Sequence, residues 1–443
     1  MNTHTLRTKV TTSADYRFVN FHMLKSYSAS CLNRDDNQMP KEMHFGGVKR
    51  LRFSSQCFKK AMRTSEAYRE AFAEEFEFSI RTTDVERLVD HICGTVLSEG
   101  EKTDRDLVRC VVSAGMTNGA TMAWIPGEIR ELVAEAKNFF KENDDAAITP
   151  AALADVIAGA KKKKNGKTPA ASGDDSTADE EETSVPEAPE EEKAGKKKGS
   201  KGKKAPVNKE AEAAKQLTAR LAKKCEEMKQ AGFSALDIAL SGRMCAASCL
   251  EGVEASMAVA HSFTVNPYYA DIDSFVTTDD LKVLGEGAGF LSDNEFGSGT
   301  FYTYASINLD LLARNMGLGA DAEGRKKALE VVSYLAKVFM TVTPSGKQNS
   351  YAARPYADYF FVTLSNGAPL SLANAFEAPV RSKDGYIAKS IEALEDYWTT
   401  IRDAYELDDK CAVFTTAGTK FGDNDGVSVF RKLSGLIGWI QGE

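Results

Sequence analysis

Apolar and polar residues alternate in two stretches near the start of the chain, and each alternation predicts a β-strand. The run FVNFHML, residues 18–24, predicts a first buried strand. In VKRLRFS, residues 48–54, two apolar side chains fall on one face and Arg50 and Arg52 on the other, which is typical of a half-buried strand. Together with the helix described next, these strands predict that the chain opens as a mixed α and β structure.

A helix is predicted directly after the second strand, because Ser54 and Ser55 are residues that cap helix N-termini. At about 100° per residue, four polar residues of this helix share an arc roughly 100° wide, opposite Phe58 and Met62. The four are Gln56, Lys59, Lys60 and Arg63. Cations usually favour the end of a helix, so a cationic arc in its first two turns, beside free N–H groups, predicts anion binding.

The rest of the chain mixes helical and strand-like patterns. Helices are predicted through most of residues 65–142 and then at 144–160, 210–230, 325–341, 387–404 and 430–440. Strands are predicted at 236–240, 256–265, 300–309 and 358–364. Residues 267–300 have no regular period, and a loop of this length is either functional or misassigned.

Residues 161–208 differ from their surroundings in composition. Lysine clusters at Lys161–Lys164 and Lys193–Lys204 flank an acidic block at 175–192, and apolar residues other than alanine are almost absent. Such a segment cannot bury enough apolar surface to order itself, so a disordered insertion is predicted. Residues 1–15 are expected to form a flexible N-terminal extension.

The charge of the chain is unevenly distributed. Residues 1–63 hold twelve Lys or Arg and four Asp or Glu, a net of +8, whereas the whole chain carries -8. The segment from Lys41 to Arg63 has seven Lys or Arg and one acid, Glu42. Such a local excess of positive charge favours a negatively charged partner. A solvated helix face remains the alternative, but interleaved aromatic residues here and in KQNSYAAR, residues 347–354, favour a surface that follows nucleic-acid phosphates.

Catalytic and metal-binding signatures are missing from the sequence. The motifs HExxH and GxSxG do not occur, and GADAEGRK at 319–326 lacks the Lys and Ser/Thr of a phosphate-binding loop. The eight Cys form no CxxC pair, and Cys245 and Cys249 have no neighbouring Cys or His to complete a zinc site. We therefore expect a protein that is not an enzyme and needs no cofactor or metal.

Hydropathy indicates a protein that stays in the cytoplasm. No run of about 20 apolar residues predicts a membrane span. The first residues, MNTHTLRTKVTTSADYR, lack the apolar core of a signal peptide.

A set of motifs spread from Cys31 to about Trp398 resembles one protein family. The chain is similar to the backbone subunit of the type I-E CRISPR Cascade surveillance complex, the CasC family of RAMP proteins. The motifs are CLNRDD (31–36), FGG (45–47), RFSSQ-CFKKAMR (52–63), DIALSGRM (237–244), DIDSF (271–275), EFGSGTFYTYASINL (295–309), KQNSYAA (347–353) and PLSLANAFE (369–377).

The resemblance implies an α+β fold with a modified RRM-like (ferredoxin-like) palm, a helical fingers insertion and a protruding thumb loop. The implied palm comprises residues 16–64, 233–261 and 301–443, the fingers 65–232 and the thumb 262–300. It implies copies that polymerise along the CRISPR RNA spacer and present it for pairing with target DNA. The partners are then CRISPR RNA, target DNA, further copies of this chain, and the large, small, RNA-processing and end-cap Cascade subunits.

The resemblance also implies particular RNA contacts. The residues expected at the RNA backbone are Arg34, Lys41, Ser54, Gln56, Lys59, Lys60 and Arg63. Arg243 and Met244 are expected near the guide, Met244 against the bases, and the thumb residue Phe275 near the splayed base. The insertion departs from the family pattern. The insertion's lysines are expected to contact target DNA, namely Lys161, Lys162, Lys163, Lys164, Lys196, Lys197 and Lys198. Alternatively, the insertion serves only as a solubilising linker.

Two other functional classes remain open at this point. One is a RAMP endoribonuclease that processes CRISPR repeat RNA with His44 or His22 as its base. The other is a structural polymer made of protein alone, whose filaments would survive nuclease treatment.

Overall fold

The computed structural model describes most of the chain. It covers residues 12–97, 105–116, 121–143, 148–165, 209–245, 249–277, 290–422 and 425–442, with the backbone alone at 161–165, 276–277 and 290–292. The predicted extension, residues 1–15, is described only from residue 12, and most of the predicted insertion, residues 166–208, lies outside the described residues.

The strands form one large sheet and one small one. They are β1 (Phe18–Ser30), β2 (Glu42–Phe45), β3 (Val48–Phe53), β4 (Ile80–Thr82), β5 (Met122–Trp124), β6 (Met257–Val259), β7 (Ser262–Thr264), β8 (Asp271–Thr277), β9 (Phe290–Asn308), β10 (Tyr359–Ser365), β11 (Lys410–Thr415) and β12 (Val427–Phe430). The large sheet runs β12-β11-β10-β1-β9-β7-β3-β2, β6 and β8 also pair with β9, and β4 pairs with β5. Its pairs are antiparallel except β11–β12.

Helices lie between and around these strands. They are α1 (Ser55–Thr64), α2 (Glu66–Phe72), α3 (Val85–His91), α4 (Arg105–Gly115), α5 (Pro126–Glu142), α6 (Pro150–Asn165), α7 (Lys209–Ala231), α8 (Leu236–Ser241), α9 (Leu309–Asn315), α10 (Ala322–Thr341), α11 (Gln348–Tyr351), α12 (Ile387–Ala404) and α13 (Leu433–Gln441). The predicted α+β class is confirmed. No helix among the described residues has the length and hydropathy needed to cross a lipid bilayer.

The central strand β1 is buried on both faces, including its polar residues Asn20 and His22. Phe21 packs against Phe339 of α10 at a ring distance of 5.6 Å, within a core that also holds residues of α1 and α13. Leu24 belongs to a second core on the other face, with Trp398 of α12. Helices therefore cover both sides of the sheet, and the sheet fixes the position of everything attached to it.

Helices α3 to α7 form a separate apolar core. Leu88, Val111, Leu132 and Leu217 are fully or almost fully buried within it, and it also includes Cys249 and Leu250. This cluster agrees with the helical content predicted for residues 65–232, whose limits as a subdomain remain a prediction.

Two predicted elements differ in the structure. Residues 236–240 form the helix α8 instead of the predicted strand. All five are buried, and a short buried apolar run is compatible with either a helix or a strand. Residues 267–300, which show no sequence period, contain much of an antiparallel hairpin, since Asp271 to Thr277 pair with Phe290 to Phe296. Ladder hydrogen bonds hold a strand without requiring an apolar face.

Candidate nucleic-acid interface

Helix α1 begins as predicted and presents its cationic arc at the surface. The hydroxyl of Ser54 accepts a hydrogen bond from the Cys57 backbone N–H at 3.2 Å. The N–H of Ser54 donates to Asn33 Oδ1 at 3.0 Å, which ties the helix start to the 31–36 loop. Phe58 is buried, while Gln56 and Lys60 are exposed and Lys59 is half-buried. The cap and the core contact thus orient the polar face outward.

A close backbone approach brings the KQNSYAA motif beside this loop. A Cβ at Gly346 would lie 2.4 Å from the Leu32 carbonyl oxygen, so any other residue would separate the two segments. Lys347 and Ala352, which flank α11, have φ values of 44° and 48°. Non-glycine residues rarely adopt this region, and such strain is concentrated at functional sites.

These segments enclose a cleft of about 1110 Å³. Four cationic side chains line it from four segments: Arg34, Lys60, Lys337 and Arg354. Hydroxyl donors from Thr64, Ser65, Thr341, Thr343 and Ser345 also line it, as do the acids Asp35, Glu66 and Glu70. Tyr356, 72% exposed, stands at the same cleft. Cations, hydroxyls and an open aromatic ring are the groups that hold a single nucleic-acid strand.

Arg34 and Lys60 of the predicted RNA-contact residues meet in this cleft. Arg34 donates to Gln38 Oε1. Lys41 lies in a neighbouring depression of about 510 Å³, opposite Arg52, and Asp35 borders both spaces. Asp35 thus borders both the cleft with Arg34 and Lys60 and the depression with Lys41, whereas Ser54, Gln56 and Lys59 line neither space.

Lys337 and Tyr356 join the cleft only through the fold. Lys337 lies on α10 within an amphipathic pattern that gives no local sign of ligand contact. Lys25 is a further residue that sequence reasoning missed, although a lysine inside an alternating strand is a signal. Its buried ammonium donates to Val342 O at 2.8 Å and to Thr343 Oγ1 at 3.2 Å, supporting the wall of the cleft. Burial lowers the pKa of Lys25 to about 7.

The basic strand β3 contributes less to the surface than its sequence suggests. The alternation of residues 48–54 predicts Arg50 beside Arg52 on a polar face, but Arg50 is fully buried. Its guanidinium donates to four backbone carbonyls, of Phe45 at 3.3 Å, Thr264 at 2.9 Å, Val265 at 2.5 Å and Phe376 at 2.9 Å. Burial lowers the pKa of Arg50 to about 10. Arg50 thus links three segments of the sheet region and is not available to an anion.

The two residues of the SGRM motif have opposite environments. The Arg243 side chain is 1% exposed and donates to both carboxylate oxygens of Glu128, at 2.6 and 2.8 Å. Burial opposes the charged form, but hydrogen bonding to Glu128 raises the pKa of Arg243. The predicted direct guide contact of Arg243 is therefore not supported, because the guanidinium is enclosed by protein. Met244 is 88% exposed, as a residue facing bases requires.

The remaining predicted sites lie outside the cleft. Arg63 is half-buried, with its Nε 3.9 Å from Asp237 Oδ2. Phe275 is 38% exposed on the β8–β9 hairpin, near the exposed Tyr269 and Ile272. The backbone of Lys161–Lys164 continues α6, whereas Lys196, Lys197 and Lys198 fall outside the described residues.

The two histidines considered for catalysis also differ. His22 is buried, its Nδ1 lies 2.9 Å from the Tyr302 hydroxyl, and burial lowers its pKa to about 3. It therefore cannot reach an RNA substrate. His44 is exposed on β2, opposite Lys49. Within the described ranges, no group of three or more His, Cys, Asp or Glu side chains is placed to hold a metal ion.

One comparison with known proteins shows the family of this chain, and another shows its fold. A family model described as CT1975-like protein matches residues 19–437. One chain of a solved "CRISPR RNA-guided surveillance complex, pre-nicking" is similar in structure, with a TM-score of 0.64 and 23% identity, covering 96% of this chain and 99% of that one. A chain of a "CRISPR RNA-guided surveillance complex" matches with a TM-score of 0.49 and 19% identity, covering 96% and 98%. No protein with a curated description matches.

Proposed function

Because this chain belongs to the family of CT1975-like Cas proteins, we propose that it is a CRISPR RNA-binding backbone subunit of a type I-E Cascade complex. Copies of it assemble along the guide spacer and present the guide for pairing with target DNA. The cleft carries this proposal, because it gathers Arg34, Lys60, Lys337 and Arg354 from four segments beside the exposed ring of Tyr356.

The chemistry of the cleft suits an RNA backbone better than a small molecule. Four positive side chains face three negative ones, and the hydroxyls of Thr341, Thr343 and Ser345 add neutral donors. Phosphate contacts of this kind position a strand without reading its sequence. Base pairing with the target then supplies the sequence specificity.

The hairpin β8–β9 suits the proposed contact between neighbouring copies. Tyr269, two residues before β8, is 71% exposed and Ile272 on β8 is 67% exposed, so two large side chains lie on the surface. Exposed apolar groups of this size favour a partner surface or a displaced base. Phe275 remains our proposed thumb residue beside a splayed base.

RNA titration at several salt concentrations tests the proposal. Each phosphate contact with a single strand contributes about 0.7 to the slope of log K against log salt. We expect Lys60→Ala with Arg354→Ala to weaken binding of CRISPR RNA and to lower this slope by about 1.4. Lys326→Ala with Lys389→Ala removes two exposed lysines outside the cleft and serves as the charge-matched control.

Equal slopes for the two double variants would refute the cleft as the RNA site. Electron microscopy of the chain co-expressed with CRISPR RNA tests the assembly, which should show several copies along one guide and disappear after ribonuclease treatment.

We also propose that the subunit is not a nuclease. Incubation with repeat RNA should then leave the RNA intact. Metal-independent cleavage that His44→Ala abolishes would establish the endoribonuclease instead, since His44 is the exposed histidine of the two considered.

A further inference from the structure

Two arginines from different parts of the fold share one buried carboxylate. Asp237 on α8 is 4% exposed, and its Oδ2 lies 3.3 Å from Arg81 Nη2 and 3.9 Å from Arg63 Nε. Ser79 donates its hydroxyl and its backbone N–H to the same carboxylate. The carboxylate is thereby fixed beneath the surface, and it holds the two guanidiniums beside each other.

The cluster carries one more positive than negative charge. Asp237 balances only one of the two arginines, and their side chains remain 23% and 33% exposed for Arg63 and Arg81. Burial and then the charge of Arg81 lower the pKa of Arg63. A further anion at the surface would relieve this repulsion between the guanidiniums.

Hydrogen-bond donors are also in excess around Asp237. The buried hydroxyl of Tyr68 makes no hydrogen bond within the described part of the chain. Burial raises the pKa of Tyr68, and the charge of Asp237 raises it further, whereas Arg63 and Arg81 lower it. Two guanidiniums and the Ser79 hydroxyl therefore surround one carboxylate, and the two guanidiniums, whose side chains stay partly exposed, can accept a second anion.

The cluster extends the cationic face of α1 away from the cleft. Lys60, which lines the cleft, precedes Arg63 by three residues, a spacing that places both side chains on one side of the helix. Arg81 on β4 then continues the positive surface beyond the end of α1. A strand that leaves the cleft along α1 would meet these two guanidiniums next.

We propose that Arg63 and Arg81 together form a second phosphate-binding site for the RNA backbone, with Asp237 as its positioning residue. The inference rests on the proposed function, because the RNA strand supplies the phosphate. Paired guanidinium groups suit a phosphodiester, since their planar N–H donors match its two unesterified oxygens. Arg81 is thus an RNA-contact residue outside the cleft.

Binding of a fluorescein-labelled single-stranded RNA of mixed sequence to the full chain tests this site. Arg81→Gln should lower the slope of log K against log salt by about 0.7 between roughly 50 and 200 mM salt. Arg87→Gln makes the same chemical change at an 87% exposed arginine on α3 and should leave the slope unchanged. Arg81→Lys, which keeps the charge, should largely restore the slope.

Asp237→Asn separates positioning from net charge. The substitution adds one positive charge to the cluster but loosens both guanidiniums, so we expect weaker RNA binding, whereas attraction by charge alone would make binding tighter. Melting temperatures of all four variants check that each is folded, and Arg81→Gln keeps a donor toward Asp237 so that the fold is retained.

The outcomes distinguish this inference from the proposed function. If the unmodified chain binds RNA with a salt-dependent affinity and Arg81→Gln behaves as Arg87→Gln does, the second site is refuted and the cleft proposal stands. If the unmodified chain binds no RNA at all, both are refuted.

Discussion

Replacing Arg243 tests whether this residue contacts the guide, as the family resemblance implies, or stabilises the fold through its buried ion pair with Glu128. The family resemblance places Arg243 at the guide, whereas the structure encloses its side chain at 1% exposure. Its guanidinium also donates to the Glu251 carbonyl at 3.1 Å and to the Ala123 carbonyl at 3.3 Å. The side chain thus connects helix α5 and strand β5 to the segment that carries the exposed Met244.

Replacing Arg243 with Met should destabilise the fold strongly. Glu128 would keep its charge at 4% side-chain exposure without a cation, and breaking a buried pair on one side costs about 3–5 kcal/mol. At about 2.1 cal/mol/K per residue, the unfolding entropy of the 443 residues is about 0.9 kcal/mol/K, so the melting temperature should fall by roughly 3–5 °C. Adding Glu128→Gln should restore part of this loss, because no uncompensated charge then remains.

Thermal unfolding followed by circular dichroism measures the effect. Arg130→Met is the matched control, since Arg130 lies on the same helix α5 and pairs with Glu77 at 49% and 27% exposure. An exposed pair of that kind contributes only about 0–1 kcal/mol. The reasoning would be refuted if Arg243→Met kept the normal melting temperature and yet bound RNA as weakly as the cleft variant does.

Three further predictions concern a turn, a buried histidine and the insertion. Gly46→Ala should cost more stability than Gly47→Ala, because both residues have positive φ but only the Cβ at Gly46 would clash, 1.6 Å from the Glu377 carbonyl oxygen; equal melting temperatures would contradict this. His22 has a folded pKa of about 3 against about 6.5 unfolded, so the unfolded chain binds the extra proton between these values and stability falls as pH drops. The loss should reach about 2 kcal/mol at pH 5, and His22→Gln should remove it in urea titrations at pH 5 and 7; an unchanged pH dependence would count against the assignment. Deleting residues 161–208 should weaken target-DNA binding and lower its salt slope, and an unaltered slope would show that the insertion is only a linker.

The local sequence pattern was sufficient to predict elements whose structure depends on residues close in the chain. The alternation of residues 18–24 matches β1, and Ser54 caps α1 as its side-chain chemistry predicts. The exposed arc of Gln56 and Lys60 also follows from helical geometry, because the opposite face carries Phe58 and Met62. For α1, the apolar period alone determines which side faces the core.

Other features depended on distant segments and could not be predicted from local pattern. Residues 236–240 have the apolar pattern of a buried strand, but surrounding residues bury all five of them and they form a helix. The hairpin of residues 271–277 and 290–296 is held by backbone pairing, which leaves no period in the sequence. Arg50 and Arg243 appear in the sequence as surface cations, and only the carbonyls and the carboxylate brought to them by the fold make them buried.

The sequence by itself determined the basic strand and helix near the start of the chain, the α+β class and the family resemblance, because each depends on residue order alone. The tertiary structure decided which cations face solvent and which meet one another. Lys337 and Arg354 reach the cleft beside Lys60 because the sheet places α10 and the 344–356 segment against α1. Charge can be counted along a chain, but its availability to a partner depends on burial and on opposite charges that only folding brings near.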